Sequence, residues 1–501
     1  MMSFKKFYIT TPLYYVNASP HIGHSYTNIA ADTLARHMRG SLGKDNVWFL
    51  TGTDEHGQKI QKAAEEANLT PQEFADTTVR QFRELWERLH ISYNDFIRTS
   101  EPRHISIVQK ALEILYKKGD IYQGKYEGWY CIPCETFWVE SQITGQNCPD
   151  CNRPLEKISE KNYFFKLSAY QEWLLRYIHD NPLFIGPKFR RNEVLSFLKL
   201  NRLNDLCISR PKERLSWGIP LPFSPDHVTY VWFDALLNYI SAVGHFDKDN
   251  RYVSKWWPAD LHLIGKDILR QHAVYWPIML KALEIEPPRT VFAHGWWMAQ
   301  EAKMSKSRGN VISPLEMVDR FGTDVYRYFL LRDVPFGLDG NFSEEAIIKR
   351  FNADLANDLG NLVYRTLTMI EKYYAGEIPQ RCKASDAEGK SIEAALERLS
   401  GVCAKFLDAA CDFNFGASLE AIWKVINMAN KYVEEKKPWN LAKQNKSDEL
   451  KAFIRLLVEV IRKVAEDISA FMPLTAEAIK EQLGSERIKK GKPLFPRIDS
   501  R

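Results

Sequence analysis

The chain has 501 residues, 45% of them hydrophobic and 26% charged, the composition of a globular protein long enough for about three domains. Its net charge of +5 permits a nucleic-acid partner without indicating one, because both signs are spread along the chain. The sequence opens into a strand-like run with no signal-peptide core and holds no apolar stretch long enough to span a bilayer. We therefore expect a soluble, cytoplasmic protein.

Strand-like runs and helical patterns alternate over the first part of the chain. An extended run at 7–10 leads through a loop into a helical pattern, and a second apolar run at 47–50 is followed by further helical patterns. This alternation is typical of a parallel sheet covered by helices. It predicts the first half of a nucleotide-binding fold over residues 1–115.

The tetrapeptide His21-Ile22-Gly23-His24 lies where the first helical pattern begins. A helix N-terminus presents backbone N–H groups and the positive end of its dipole, which suits phosphate. Gly23 removes a side chain where a nucleotide must lie close, and His21 and His24 share a helix face. A four-residue match arises by chance in roughly one of a few hundred chains, so the motif alone is only moderately specific.

Four of the eight cysteines form two Cys-x-x-Cys pairs, Cys131 with Cys134 and Cys148 with Cys151. This spacing is a strong signal for structural zinc, because each tight turn brings two thiolates to one ion. The alternative is a site that has lost its metal. Four thiolates leave no position for a catalytic water, so the ion would brace the fold. We expect an insertion with this zinc knuckle over 116–226.

Strand and helix patterns return after residue 227. A buried strand at 260–265 is followed by a helix at 268–283 and another strand at 290–293. These patterns predict the second half of the split sheet, over 227–298.

A Lys-Met-Ser-Lys-Ser sequence follows at 303–307. Its two ammonium groups among small residues suit a mobile loop that closes on a triphosphate, although a solvated basic loop is the alternative. The attack of a carboxylate on the α-phosphate of ATP builds up negative charge, which positioned donors and cations would stabilise. We predict this catalytic role for His21, His24, Lys303 and Lys306.

The last part of the chain is helical in pattern. Four long amphipathic helices are predicted at 344–374, 391–406, 416–436 and 448–471, and they indicate a helix bundle over 344–501.

The two signature motifs together, in this order, resemble those of the class I aminoacyl-tRNA synthetases. The similarity to the methionyl-tRNA synthetase family is closer and covers essentially the whole chain, through further blocks at Thr10–Asn17, Thr51–Gly57, Trp232–Tyr239 and Gly265–Ile268. It implies a Rossmann-type α/β catalytic domain split by the zinc insertion, a stem-contact segment at 299–343 and an anticodon-binding bundle.

The resemblance also implies a reaction. Methionine and ATP, the latter with magnesium, would give methionyl-adenylate and pyrophosphate, and the methionyl group would pass to the 3' end of initiator and elongator methionine tRNA. Some relatives carry an added tRNA-binding and dimerising domain beyond the run at 492–498, and because the sequence shows none we expect a monomer.

Site residues carry over position by position. The expected ATP contacts are His21, Gly23, His24, Gly265, Asp267 and Lys306. Asp54 would hold the substrate ammonium group. The expected methionine pocket is Pro12, Leu13, Tyr15, Trp232, Ala235, Leu236, Tyr239, Ile268 and His272. Apolar and aromatic groups suit a thioether, and Tyr15 or His272 would add a polar contact.

Several of these positions have an alternative interpretation, and a few further residues are candidates. Leu236 stands where part of the family has proline, and plain core packing is the alternative role for the pocket residues. Arg210 is a further candidate for phosphate or carboxylate. Asn361 and Arg365, four apart on one helix face, and Trp439 match the family's anticodon readers, although alone they fit a solvated face and a core tryptophan.

Other functions fit the sequence less well than the reaction that the resemblance implies. The insertion is too small for the editing domain of leucine, isoleucine or valine enzymes, and cysteine-activating relatives spread their zinc ligands along the chain. Small nucleotidyltransferases share the histidine motif but are much shorter. The intact histidine and lysine motifs argue against a tRNA-binding protein without catalysis.

Overall fold

The computed structural model describes residues 6–131, 136–138, 143, 145–149, 152–299, 302–303, 312–384 and 386–498. The chain divides into two compact units. The first, here called the sheet unit, comprises residues 1–31, 38–87 and 91–294, and the second, the helical unit, comprises 32–37, 88–90 and 295–501.

The strands, in chain order, are β1 (Phe7–Tyr15), β2 (Val47–Asp54), β3 (Asp95–Arg98), β4 (Ile121–Cys131), β5 (Thr136–Trp138), β6 (Glu156–Phe165), β7 (Ile185–Gly186), β8 (Leu206–Cys207), β9 (Ser209–Pro211), β10 (Pro220–Leu221), β11 (Ser224–Thr229), β12 (Gly244–Phe246), β13 (Tyr252–Ser254), β14 (Leu261–Gly265), β15 (Val291–His294), β16 (Trp297–Ala299), β17 (Ala302–Lys303) and β18 (Gly340–Phe342).

The α-helices are α1 (Ile22–Leu42), α2 (Gln58–Glu66), α3 (Pro71–Arg88), α4 (Pro102–Lys118), α5 (Gln171–Asp180), α6 (Lys188–Leu200), α7 (Val231–Leu236), α8 (Asn238–Ser241), α9 (Trp276–Ala282), α10 (Pro314–Phe321), α11 (Thr323–Arg332), α12 (Glu344–Arg350), α13 (Asn361–Tyr374), α14 (Ala387–Phe406), α15 (Phe415–Lys436), α16 (Pro438–Lys443), α17 (Ser447–Ile468) and α18 (Pro473–Leu483). Two wider, π-helical segments occupy Gln271–Tyr275 and Phe351–Gly360.

The sheet unit is organised around a six-stranded parallel sheet with strand order β3-β2-β1-β14-β15-β7. The two predicted halves join where β1 pairs with β14, with Ile9 opposite Leu261. Strands buried on both faces consist of nearly continuous apolar runs, as the first three residues of β1 do. The predicted parallel α/β fold is therefore confirmed, and all six strands end at one edge, where such sheets bind ligands.

An antiparallel sheet, β5-β4-β6-β8, occupies much of the region expected to be an insertion. Cys131 ends β4, and Cys148 lies in a turn closed by hydrogen bonds from Asn152 N–H to its carbonyl and from its own N–H to Arg153. Both cysteines are buried in one small cluster with Trp138. Cys134 and Cys151 lie outside the described residues, and no group of three or more His, Cys, Asp or Glu side chains that could hold a metal ion occurs among the residues described.

One strand of the main sheet falls inside the expected insertion. β7 pairs in parallel with β15, with Ile185 opposite Val291. Residues 116–226 are therefore not wholly separate from the parallel sheet. This strand could not be predicted from the sequence, because two residues are too few to show an alternation of apolar and polar side chains.

The helical unit contains α10 to α18, and the four predicted long helices correspond to α12–α13, α14, α15 and α17. No strand follows β18 in the described part of the chain. The predicted helix bundle is therefore confirmed. None of the described helices combines the length and the apolar character needed to cross a bilayer.

Candidate active site

The histidine motif caps the first helix of the sheet unit. His21 is the N-cap of α1, and its Nδ1 accepts a hydrogen bond from the Gly23 N–H at 3.1 Å. The Nδ1 of His24 accepts in turn from the His21 N–H at 3.2 Å. This reciprocal arrangement satisfies two backbone donors that the helix itself leaves unpaired. The predicted position at a helix N-terminus is therefore confirmed.

The same contacts fix which ring nitrogens carry protons. Because Nδ1 of each ring accepts from a backbone N–H, the proton of each neutral imidazole is on Nε2. Burial, reinforced by the neighbouring His21, holds the pKa of His24 well below its ordinary value, so this ring is neutral at pH 7. The two rings stack with centroids 3.8 Å apart. A neutral His24 of this tautomer keeps an N–H group at Nε2 and carries no positive charge.

Gly23 also avoids a close contact within the motif itself. A Cβ added at this position would lie 3.0 Å from Cε1 of His21, tighter than nearly all real contacts. From the sequence, this glycine was expected to leave space for a nucleotide. The structure adds a nearer reason, the His21 ring that folds back over it.

The candidate ATP residues Gly265 and Asp267 lie at the end of β14. A Cβ at Gly265 would approach Oδ1 of Asp267 to 2.6 Å, and Gly265 is the register partner of His294 on β15. His294 Nε2 lies 2.7 Å from the Thr27 hydroxyl, which donates to the Gly23 carbonyl. A buried chain of contacts thus connects this strand end with the histidine motif. The sequence analysis missed His294, although a polar residue directly after an apolar strand marks a sheet edge.

Asp54, the candidate for the substrate ammonium group, is the last residue of β2 and is buried. It is the register partner of Tyr15, the last residue of β1. The two side chains therefore belong to adjacent strand ends at the ligand-binding edge of the sheet.

The candidate side-chain pocket contains one hydrogen-bonded pair. The Tyr239 hydroxyl lies 2.7 Å from Nε2 of His272, and Nδ1 of His272 lies 2.9 Å from the Ile268 carbonyl. A carbonyl only accepts, so Nδ1 carries the proton and Tyr239 donates to Nε2. Burial lowers the pKa of His272 to about 4, which keeps the ring neutral. Both ring nitrogens are committed, so His272 offers no hydrogen to a thioether while this pair persists.

The remaining pocket candidates are either buried in the apolar core or half-buried at its surface. Leu236 and Tyr239 belong to the main apolar core, against which Leu13 and Ile268 pack. Ala235 and Pro12 are buried, whereas Trp232 and Tyr15 are half-buried. Lys59 lies over the Tyr15 ring at 5.2 Å. The candidate residues are thus placed on β1, α7, α8 and the segment after β14.

A buried polar cluster that the sequence analysis missed adjoins these segments. The Asp234 carboxylate on α7 lies 2.7 Å from Nδ1 of His56 and 2.7 Å from Nε2 of His104. Nδ1 of His104 lies 2.8 Å from the Ser241 hydroxyl on α8. We call His56, His104, Asp234 and Ser241 the Asp234 cluster.

Arg210 lines a shallow surface depression together with Gly57, Tyr130 and Tyr230. Its guanidinium lies 4.5 Å from the centroid of the Tyr230 ring and 5.1 Å from that of Tyr130. An arginine held between aromatic rings keeps its charge while shielded from water, which suits an anionic group.

The lysine motif is described only at its start. Lys303 ends the short strand β17, which pairs with β16 in the helical unit. Lys306 lies outside the described residues, as does the rest of the motif.

The three anticodon candidates belong to the helical unit. Asn361 is exposed at the first position of α13, and Arg365 follows one turn later on the same side. Trp439, the second residue of α16, exposes 43% of its surface. It is therefore not the core tryptophan that the sequence left open as an alternative, and its ring is accessible for stacking.

Comparisons with known proteins agree with this geometry. A family model described as tRNA synthetases class I (M) matches residues 7–157 and 154–367, and one described as the anticodon binding domain of methionyl tRNA ligase matches 378–493. The chain is 49% identical to the methionine–tRNA ligase of Clostridium tetani, over 99% of this chain and 79% of that protein. The same figures hold for the enzyme of Caldanaerobacter subterraneus.

A solved structure gives the same result. The chain matches the Mycobacterium tuberculosis methionyl-tRNA synthetase in complex with methionyl-adenylate with a TM-score of 0.92 and 40% identity, over 98% of this chain and all of that one. The parallel sheet with a histidine motif capping its first helix is thus the catalytic fold of a class I tRNA synthetase. Within that class, the chain belongs to the methionine–tRNA ligase family, whose activities are amino-acid activation and tRNA charging.

Proposed function

We propose that this chain joins methionine to ATP, releasing pyrophosphate, and then passes the methionyl group from the adenylate to the 3' end of methionine tRNA, both initiator and elongator. The observation that carries the proposal is the capped pair His21 and His24, whose imidazole rings stack at the N-terminus of α1. Fixed N–H donors stabilise phosphate without having to reorganise during the reaction.

The lysine motif would complete the charge stabilisation. Lys303 and Lys306 supply full positive charges for the triphosphate, while the histidines supply neutral donors. Gly265 and Asp267 lie at a strand end connected to the histidine motif through His294 and Thr27, which supports their assignment as ATP contacts. Magnesium would enter with ATP as part of the substrate, bridging phosphate oxygens.

Methionine would be held by its ammonium group at Asp54 and by its side chain in the predicted pocket. The support is geometric, since Asp54 and Tyr15 end adjacent strands and Tyr239 and His272 form a locked pair beside the core. The pocket offers a thioether apolar and aromatic surface rather than a strong donor. Arg210 remains a candidate for an anionic group of the substrate.

The anticodon would be read in the helical unit. Asn361 and Arg365 offer hydrogen-bonding groups for base edges, and the exposed ring of Trp439 offers a stacking plane. Charging would therefore depend on residues that adenylate formation does not use.

A zinc ion held by Cys131, Cys134, Cys148 and Cys151 would brace the antiparallel sheet. The two cysteines that the structure describes are buried in one cluster, and Cys148 lies in a tight turn, as a knuckle requires. The ion would supply no chemistry, because four thiolates leave no open position.

We retain the five-part division at 1–115, 116–226, 227–298, 299–343 and 344–501, the last being the anticodon-binding domain. It is supported by β15, which ends at His294, and by α12, which begins at Glu344. Because its activity serves translation, we assign the chain to the cytoplasm. The monomer stays a prediction, and light scattering after gel filtration would test it against the chain mass of 58.2 kDa.

The first test is ATP–pyrophosphate exchange with the purified chain and each of the twenty amino acids. Exchange with methionine alone is the expected result. Exchange driven by another amino acid would overturn the pocket assignment, and exchange with none would overturn adenylate formation. Charging of initiator and elongator methionine tRNA, compared with a tRNA of another anticodon, tests the second step.

A further inference from the structure

The Asp234 cluster contains a carboxylate that is wholly inaccessible to solvent. Burial by itself would raise the pKa of Asp234, but the two adjacent imidazoles outweigh it and hold this pKa below its ordinary value. An ionised carboxylate can only accept hydrogen bonds, so His56 donates through Nδ1 and His104 through Nε2. Each oxygen of Asp234 is therefore bound to a different histidine.

The histidines belong to segments that are far apart in sequence. His56 lies 178 residues before Asp234 and His104 lies 130 residues before it. His104 also connects to Ser241 on α8, so the four side chains hold together the loop after β2, the start of α4, α7 and α8. Such a network is strong where water is excluded, because an unpaired partner would be costly.

Three of these segments carry a residue expected to touch the amino acid. His56 comes two residues after Asp54, the candidate ammonium partner. Asp234 stands between Trp232 and Ala235 on α7, and Ser241 comes two residues after Tyr239. All four side chains of the cluster are themselves buried, so we expect it to act on the substrate only through these residues.

We propose that the Asp234 cluster is the positioning element that fixes the spacing between Asp54 and the side-chain pocket. This inference rests on the proposed function. A fixed spacing between the ammonium site and the pocket selects the length of the amino-acid side chain. Loosening the cluster should therefore weaken methionine binding and relax discrimination against ethionine, which is one methylene longer.

The test uses replacements that separate a hydrogen bond from packing. In His56→Asn the amide Nδ2 takes the place of the imidazole Nδ1 and keeps a donor for Asp234, whereas His56→Leu removes the donor. Both remove the contact between His56 and the Trp217 ring, whose centroids are 5.2 Å apart. In the same way, His104→Gln keeps a donor at the Nε2 position and His104→Leu does not.

Methionine-dependent exchange is measured for each variant of the full chain. We expect His56→Leu and His104→Leu to raise the KM for methionine about tenfold or more, whereas His56→Asn and His104→Gln should stay within about threefold of the native value. Ser241→Ala, which removes only the last link, should raise this KM about threefold. The KM for ATP should change less than twofold, and the preference for methionine over ethionine should fall in the leucine variants.

Asp260→Asn is the matched control. Asp260 is also a buried acid of the sheet unit, accepting from the Tyr8 N–H at 2.8 Å, but it lies at the opposite end of the sheet, just before β14. Its loss should lower Tm while leaving the KM for methionine within about twofold.

The outcomes separate the two proposals. If the native chain shows no methionine-dependent exchange, the proposed function fails. If the native chain is active but His56→Leu and His104→Leu lower Tm with an unchanged KM for methionine, the cluster is merely structural and this inference is overturned. Equal effects of the leucine and amide replacements would overturn it as well, because packing alone would then explain the result. Should a leucine variant fail to fold, Ser241→Ala decides instead, and a KM for methionine no higher than that of Asp260→Asn would overturn the inference.

Discussion

The two candidate sites use polar residues in opposite ways. In the sheet unit, His272 and Asp234 are buried, and their hydrogen-bonding atoms are already paired with protein groups, while the half-buried His24 is held through its Nδ1. In the helical unit, Asn361 and Trp439 are exposed. The difference follows from the two tasks. Chemistry at phosphate needs donors fixed in advance and shielded from water, whereas a base can be read only by edges and planes left open.

The largest effect is expected when one fixed donor of the sheet unit is removed. His24→Asn keeps an oxygen at the δ position, which can still cap the His21 N–H, but it lacks the Nε2–H donor. We expect methionine-dependent exchange to fall several hundred-fold, or about 3 to 4 kcal/mol, with little change in Tm.

The converse variant is the control. His24→Gln keeps a donor at the ε position and loses the cap, so it should retain more exchange activity than His24→Asn while losing about 1 kcal/mol of stability. The reverse ranking of the two activities would show that the histidine acts through the helix cap and not through phosphate.

Acid should damage the buried site and spare the exposed one. The unfolded chain takes up a proton on His272 below its ordinary pKa of 6.5, but the folded chain resists until its value of about 4. Stability that is fully present above pH 6.5 is therefore lost as pH falls between these values, by roughly 3 kcal/mol for this residue. His24 and His262, whose pKa values burial lowers, add to the loss.

Thermal unfolding followed from pH 7 to pH 4 measures this loss. His272→Gln should make the fall of Tm shallower than in the native chain, and His245→Gln, at an exposed histidine, should leave its slope unchanged. Identical slopes in all three proteins would mean that His272 does not titrate differently on folding.

The exposed site should fail separately. Trp439→Ala removes a stacking plane worth about 1 to 3 kcal/mol, so tRNA charging should fall about tenfold to a hundredfold in kcat/KM. Methionine-dependent exchange without tRNA should stay native, and Trp439→Phe, which keeps an aromatic face, should preserve most of the charging. Parallel losses of exchange and charging would contradict the separation of the two sites.

The smallest effect on methionine-dependent exchange is expected from the proposed zinc knuckle, which should belong to neither site. Cys148→Ser should lower bound zinc from about one ion per chain to near none and reduce Tm, with exchange changed less than about threefold at a temperature where the variant is folded. Cys403→Ser, at a buried cysteine of the helical unit, is the matched control and should leave the metal content unchanged. A native chain without zinc would overturn the knuckle.

Local signals in the sequence were enough to predict the helix that starts after His21, the strands β1, β2, β14 and β15 and the bundle, but not the short strands β3 and β7. The Asp234 cluster could not be predicted this way, because its partners are separated by 130 and 178 positions and no periodicity connects them. The role of His272 was likewise out of reach. The residue was placed in the pocket as a polar contact, but only coordinates reveal that both of its nitrogens are already used.

The wide segment at Phe351–Gly360 has a consequence for the surface that begins directly after it. Residues 344–374 form one continuous rod, but an i→i+5 ladder winds more slowly than the i→i+4 ladder on either side of it. The segment therefore sets the direction, around the helix axis, in which Asn361 and Arg365 leave α13. Each residue of an ordinary helix turns by about 100°, so losing one residue here would rotate both side chains by a quarter turn or more. The number of residues in this segment therefore sets the direction of the two side chains, whichever amino acids it contains.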